Sequence, residues 1–216
     1  MPGTWSGGRL LNVDAFDFSP GTLASLVIAL SFAAGLNVYA TVCSLGLMAR
    51  LHWIVLPGEL GAIAHTWIIA VSGALFVLEL FADKIPGFDL LWNAVHTFIR
   101  IPAAALMAYA ASSHLSPGQQ MLVTILGGAI AAIAHSSKTA ARVIVTPSPE
   151  PASNIALSSA EDVGAIGISW VAMHHPLAAG VSLGVLSLGL VWALWATYAR
   201  VRAALTRRWS DLREVW

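Results

Sequence analysis

Long apolar stretches separated by short polar breaks are the main pattern of the chain. A membrane-spanning helix needs about 20 apolar residues, and residues 22–48 supply such a stretch without a charged side chain. Proline-glycine pairs at 57–58, 86–87 and 117–118 separate the stretches that follow. The further stretches are residues 61–82, 90–111, 119–145, a fifth ending near 174, and 176–198. The pattern predicts an all-α integral membrane protein with about six transmembrane helices.

The fifth segment is predicted to be broken or re-entrant. It follows a proline-rich run at residues 146–151, and Ser158 and Glu161 have the spacing of a capping box. Ser159 and Asp162 have it too, and either box predicts a helix start near residue 160. A helix from there to residue 174 is too short to span the membrane, so an irregular stretch has to fill the remaining depth. Such breaks often line the sites of transporters.

The domain organisation follows from the spans. Residues 1–20 form a polar N-terminal tail, 21–200 a single transmembrane domain, and 201–216 a basic cytoplasmic tail. The halves, about 21–113 and 118–200, share a faint echo, since an Ala-Arg pair precedes a proline-rich turn and a glutamate in each. Three helices in each half would have opposite topologies, as in inverted-repeat transporters. The echo fits either such a repeat or a chance similarity.

Composition and charge support the membrane prediction and suggest an orientation. Hydrophobic residues make up 57% of the 216 residues and charged ones 10%, against about 25% charged in soluble domains. Six crossings place both termini on one side, together with Arg9, Lys84, Arg142 and five C-terminal arginines, and leave only Arg50 on the other. Positive charge marks the cytoplasmic side. Both termini are therefore predicted to be cytoplasmic.

A polar stripe runs along the third span. Asp89, Asn93, His96 and Arg100 share one helical face. Arg100 lies about 16 Å along the helix from Asp89, near the middle of a hydrocarbon core of about 30 Å. An arginine there costs about 3 kcal/mol on insertion scales, so we expect it to face a carboxylate or a wet cavity.

Other spans offer partners for this stripe. The second carries acidic residues near its cytoplasmic end, the fourth a basic stripe that includes His135, and the fifth two adjacent carboxylates, of which one is expected to point inward. Structural ion pairing within the bundle, or snorkelling to the headgroups, is the alternative reading of these charges. The candidate substrate- or ion-binding residues are Asn37, Glu79, Asp83, Lys84, Asp89, His96, Arg100, Lys138, Arg142, Glu150, Asn154, Glu161 and Asp162.

Signatures of soluble enzymes and of metal sites are missing from the sequence. It contains no nucleophile elbow, phosphate-binding glycine loop or zinc-protease motif. Cys43 is the single cysteine, so a disulfide within the chain is impossible. Because basic and acidic residues balance at eleven each, nothing recruits nucleic acid. We expect no catalytic residues, no metal and no cofactor.

One run of the sequence is similar to a known family. The residues Asp83-Lys84-Ile85-Pro86-Gly87 and His96-Thr97-Phe98-Ile99-Arg100, together with Gly35-Leu36-Asn37, resemble the bacterial membrane family named domain of unknown function 4126. The resemblance covers about residues 24–195. It implies a multi-pass protein of the bacterial inner membrane and assigns no chemistry to any residue.

These features favour a small transporter or flippase for an anionic or zwitterionic solute or lipid headgroup. Arg100, Lys138 and Arg142 would contact the anion, and the carboxylates would couple protons or cations. A second interpretation is a non-transporting subunit of a larger membrane complex, or a homo-oligomer, with structural charges. An intramembrane enzyme using His96 and a carboxylate ranks third because no nucleophile is evident.

Overall fold

The computed structural model describes residues 19–82, 85, 88–145 and 151–214, and the regular structure in these ranges is helical throughout. Side chains are described except at 89, 90, 144, 145, 151, 154, 204, 205 and 207–214. The helices are α1 (Pro20–Leu36), α2 (Val38–Arg50), a 3₁₀ helix (Gly58–Ala64), α3 (Thr66–Ala82), α4 (Phe88–Ala111), α5 (Pro117–Val145), α6 (Pro151–His174) and α7 (Pro176–Glu214).

Four helices of the described residues, α4 to α7, are long and apolar enough to cross a membrane. The 3₁₀ helix and α3 would together make a fifth span, bent by 70°. The helices α1 and α2 are apolar but shorter, with 17 and 13 residues. Length and apolar composition thus indicate a membrane-embedded helical protein, as the sequence predicts.

Helix α1 is the centre of the bundle, since it packs against α4, α5, α6 and α7. Residues 29–35 are buried in succession, so this helix has no solvent or lipid face over two turns. The sequence predicts one helix over 22–48, and this expectation is wrong, because the helix breaks at Asn37. That residue is extended, with φ −150° and ψ 102°, and it is completely buried.

The second predicted span, residues 61–82, is not one straight helix either. The 3₁₀ helix ends at Ala64, His65 is extended, and α3 leaves at a large angle. His65 is exposed at this joint. It therefore does not continue the polar face of α3, on which Ser72 and Glu79 are buried.

The fifth predicted segment is a continuous helix from its first described residue. Helix α6 starts at Pro151, and Ser158 lies in its interior, so the predicted helix start near residue 160 and the irregular stretch after residue 150 are wrong. Residues 146–150 lie outside the described part. Helix α7 also runs past the predicted end at residue 198 and continues to Glu214.

Helix α1 packs closely on α5 just before the break. A Cβ atom on Gly35 would lie 2.6 Å from the carbonyl oxygen of Ala131 and 2.7 Å from Cβ of Ala134. Only a residue without a side chain allows this approach. One turn further along α5 stands Lys138, which this packing places beside the end of α1.

Candidate functional site

A row of alternating charges connects four helices inside the bundle. In order it contains Arg100 of α4, Glu79 of α3, Lys138 of α5, Glu161 of α6 and Arg142 of α5. Each neighbouring pair in this order forms a salt bridge. These side chains are completely buried, except that Glu161 keeps 7% of its surface exposed. We refer to these five residues as the charged row.

Arg100 lies at one end of the row, surrounded by polar groups from three helices. Its Nη2 atom donates to Oε1 of Glu79. Its Nη1 atom donates to Oδ1 of Asn93, at 3.0 Å, and to Nδ1 of His135, at 3.2 Å. The expectation that Arg100 faces a carboxylate of the second span is therefore confirmed at the level of contact.

The hydrogen bonds around His135 determine its tautomer. A guanidinium group has only donors, so Nδ1 of His135 accepts from Arg100 and carries no hydrogen. The hydrogen then sits on Nε2, which donates to Oγ1 of Thr97 at 2.8 Å. Thr97 in turn donates to the carbonyl of Asn93 at 3.2 Å. His135 is thus neutral, and it orients Arg100 without adding a charge.

Lys138 occupies the middle of the row and joins three other elements. Its Nζ atom lies 3.2 Å from Oε2 of Glu161 and 3.6 Å from Oε1 of Glu79. It also donates to the carbonyl of Leu36, at 3.0 Å. Leu36 is the last residue of α1, where backbone carbonyls lack helical partners and the helix dipole is negative. The ammonium group therefore caps the broken end of α1.

Arg142 forms the other end of the row. Its Nη2 atom lies 2.6 Å from Oε2 of Glu161, the same oxygen that faces Lys138. Arg142 stands in the last turn of α5, next to the undescribed residues 146–150. This end of the row is thus closer to a helix terminus than the Arg100 end.

Asn37 connects the break to α6. Its Oδ1 atom accepts from the backbone N–H of Ala40, at 2.9 Å, and so caps the start of α2. Its Nδ2 atom donates to Oδ1 of Asp162, at 2.8 Å. A carboxylate beside a helix N-terminus is favoured by the dipole. The two broken ends are therefore matched by opposite charges, Lys138 at α1 and Asp162 at α2.

His96 lies one turn before Arg100 on α4 and is also buried. Its Nδ1 atom donates to the carbonyl of Trp92 at 2.7 Å, because a carbonyl can only accept. Its Nε2 atom lies 3.2 Å from the hydroxyl of Tyr39 on α2. His96 therefore ties α4 to the second half of the broken helix.

Buried charges of this kind are a poor means of stabilisation. The free energy needed to remove an ion pair from water is often as large as the attraction between its charges. Well-packed apolar residues therefore often stabilise a protein equally well. Removing one partner is costly because the other charge remains buried. Among the described residues, three cations meet three carboxylates here when Asp162 is counted. The arrangement holds these charges inside the bundle, and the described residues contain no group of three or more His, Cys, Asp or Glu side chains that could hold a metal ion.

The structure brings seven of the predicted site residues together. Both Glu161 and Asp162 point inward, so the expectation that only one of them does is wrong; their positions lie 100° apart on α6 and two different groups receive them. The gathered residues are Asn37, Glu79, Arg100, Lys138, Arg142, Glu161 and Asp162, with His96 one turn away. Asp83, Lys84 and Glu150, and the side chains of Asp89 and Asn154, lie outside the described part.

Sequence reasoning did not name four contributors as site residues. Asn93 and His135 lie on the polar stripes, so helical spacing does signal them. Thr97 sits one turn after Asn93, which is a weaker signal. The carbonyl of Leu36 has no side-chain signature, and the sequence Gly35-Leu36-Asn37 hints at it only because Asn is a common cap residue.

Comparison with known proteins gives a family and no function. No curated protein and no solved structure matches the chain. The model of a family described as domain of unknown function (DUF4126) matches residues 24–196, which include every member of the charged row and the helix break. The chain therefore belongs to the DUF4126 family.

Proposed function

We propose that this chain is a small membrane transporter or flippase for an anionic or zwitterionic solute or lipid headgroup, coupled to protons or cations. One observation supports it above all: a buried, alternating row of charges meets a helix that is broken inside the bundle. Half-helix ends at mid-membrane are a recurring element of transporter sites. Ion pairs that contribute little to stability are understandable if their partners exchange with a substrate.

The proposal includes a topology. The discontinuous pair α1 and α2 and the bent pair of the 3₁₀ helix and α3 would add two crossings to α4–α7, which gives six. An even number would put both termini on the same side of the membrane, and the arginine distribution favours the cytoplasm of a bacterial cell for that side. Each half would then hold three crossings, which is compatible with an inverted repeat.

In this proposal the arginines bind the anion. Arg100 and Arg142 present planar guanidinium groups, which suit carboxylate and phosphate groups. Glu79 and Glu161 occupy those groups in the present conformation and act as internal substitutes for a substrate anion. A substrate that displaces Glu161 would also release Lys138 from one of its oxygens, so binding and helix-end capping would be linked.

Flux through proteoliposomes tests the proposal. Radiolabelled phosphate, succinate and glutamate would report solute transport, and dithionite quenching of fluorescent phosphatidylethanolamine and phosphatidylglycerol would report flipping. We expect the wild-type protein to move at least one probe and the Glu161→Gln variant to lose that flux. Arg50→Gln, at an exposed arginine, is the matched control and should retain it. Equal flux in both variants and wild type would refute the assigned site.

A non-transporting subunit of a larger complex is the second candidate. Two observations favour it: each neighbouring pair of the charged row is an ion pair within the protein, and a Cβ atom on Gly184 or Gly189 of α7 would meet no described atom of another helix within 4 Å. Small residues on a lipid-facing helix allow close packing of another helix. Purification from native membranes in a mild detergent separates the two functions. A stable complex of fixed stoichiometry, with no flux from the isolated chain, would favour the subunit.

A further inference from the structure

The surroundings of Lys138 have the form of a cation site. Among the described residues, three oxygens from three different elements lie around its Nζ atom: the Leu36 carbonyl of α1, Oε1 of Glu79 on α3 and Oε2 of Glu161 on α6. An ammonium group only donates, and each of these oxygens is an acceptor. The lysine itself comes from a fourth element, α5. We call these three oxygens the Lys138 cage.

The chemistry of the cage suits a free metal cation as well as an ammonium group. Carboxylate and backbone carbonyl oxygens are the ligands of hard cations. Carbonyls at the C-terminal ends of half-helices coordinate sodium ions in transporters with broken helices. The negative end of the α1 dipole adds to the attraction. All three features occur here, and the protein's own side chain supplies the cation.

The charge of the neighbours decides which ion fits. Glu79 is shared with Arg100, and Glu161 is shared with Arg142, so each carboxylate already faces one guanidinium group. Lys138 adds a single positive charge between them. A monovalent ion would keep the net charge that Lys138 gives the row, whereas a divalent ion would add a further positive charge in a fully buried position, where unbalanced charge is very costly.

We propose that the Lys138 cage is a site for a monovalent cation, filled here by the tethered ammonium group of Lys138. The inference rests on the proposed transport function in one consequence: the chain carries its own counter-ion, so of the protons or cations proposed for coupling its transport uses protons and needs no free sodium or potassium ion. Removal of the ammonium group converts the cage into a site for such an ion.

Thermal unfolding of the purified protein tests the cage without any transport assay. The Lys138→Ala variant is unfolded in sodium, potassium or choline chloride at equal ionic strength. We expect its midpoint to rise with sodium or potassium and to saturate, because an ion that binds only the folded state stabilises it by mass action. Choline is too large for the cage and should have no effect. The wild-type midpoint should be equal in all three salts.

The control removes one carboxylate charge from the same cage. In the double variant Lys138→Ala with Glu161→Gln, the response specific to small cations should fall or vanish. If Lys138→Ala does not yield folded protein, Lys138→Ser offers the same vacancy with a polar atom. A midpoint that responds alike to choline and to sodium or potassium in these variants, or to none of them, overturns the proposal.

The outcome is separable from that of the proposed function. A cation response in Lys138→Ala together with no flux for any probe in the wild type retains the cage and rejects transport. Flux in the wild type that requires sodium or potassium retains transport and rejects Lys138 as a sufficient counter-ion. If wild-type flux persists with choline as the sole salt cation, and Lys138→Ala responds to sodium or potassium, both the transport function and the cage are supported.

Discussion

The two ends of the charged row are built differently, although each consists of an arginine and a glutamate. The Arg100–Glu79 pair is completely buried on both sides, and the neutral groups of Asn93 and His135 hold the guanidinium in place. In the Arg142–Glu161 pair the glutamate keeps 7% exposure. The comparison teaches that the same pairing can be completely buried among neutral polar groups at one end and keep a small exposed fraction near a helix end at the other.

Substitution at the Arg100 end should have the largest effect. Arg100→Gln leaves the carboxylate of Glu79 buried without its guanidinium partner, and we expect a loss of about 3–5 kcal/mol in the free energy of unfolding. Thermal or denaturant unfolding in detergent measures it. Arg50→Gln, at an exposed arginine, is the control and should change little.

A double substitution sharpens this result. If the cost arises because the Glu79 carboxylate has lost its guanidinium partner, the double variant Glu79→Gln with Arg100→Gln should lose less free energy of unfolding than the sum of the two single variants. If the free-energy losses of the two single variants simply add, Arg100 acts through packing, and its ion pair with Glu79 does not distinguish this end of the row.

Substitution at the other end should cost less. Among the described contacts, Arg142→Gln removes a charged hydrogen bond to Glu161, but Lys138 still faces the same oxygen 3.2 Å away and Glu161 keeps 7% of its surface exposed. We expect a loss of about 2 kcal/mol, the size of one hydrogen bond to a charged group. The same unfolding assay measures it. A loss equal to that of Arg100→Gln would contradict the distinction between the two ends.

The sequence predicts much of this site because helical geometry is regular. Polar residues spaced by three, four or seven positions share a face, so the stripes on α4 and α5 and the partnership of Arg100 with Glu79 follow from spacing. The membrane character follows from hydropathy in the same way. Both predictions use local periodicity, which a single sequence contains.

The helix breaks escape prediction because their causes are not local. Nothing in Leu36-Asn37 forbids a helix. At the break, Lys138 donates to the Leu36 carbonyl at the end of α1, and Asp162 accepts from the Asn37 side chain that caps α2, so both contacts come from residues distant in sequence. The opposite error occurs in α6, where capping-box spacing at Ser158 and Ser159 suggests a helix start that the chain does not use. In both cases tertiary contacts override a local pattern.

Asn37 caps α2 at the helix break, and its substitution should have an effect between those of the arginine substitutions and those of the hydroxyl substitutions below. Asn37→Ala removes the side-chain acceptor for the Ala40 N–H and the donor to Asp162. Loss of a helix cap costs about 1 kcal/mol, and the lost contact with a carboxylate adds to it, so we expect about 1–2 kcal/mol in the unfolding assay. Asn37→Asp keeps the acceptor but places two carboxylates together. It should destabilise at least as much, and an unchanged protein would show that the Asp162 contact is unimportant.

The smallest effects compare one hydroxyl from each end. At the Arg100 end, Thr97 accepts from His135 at 2.8 Å, and Thr97→Val should cost about 1 kcal/mol because the imidazole donor loses its partner. At the Arg142 end, Ser158 is completely buried, and its hydroxyl has no hydrogen-bond partner among the described residues. A buried hydroxyl without a partner carries a desolvation cost, so Ser158→Ala should leave the stability unchanged or raise it. Unfolding of the two variants in parallel measures the difference. If Ser158→Ala were the more destabilising, that hydroxyl would have to bind a partner in the folded protein, and the expected difference between the two hydroxyls would be wrong.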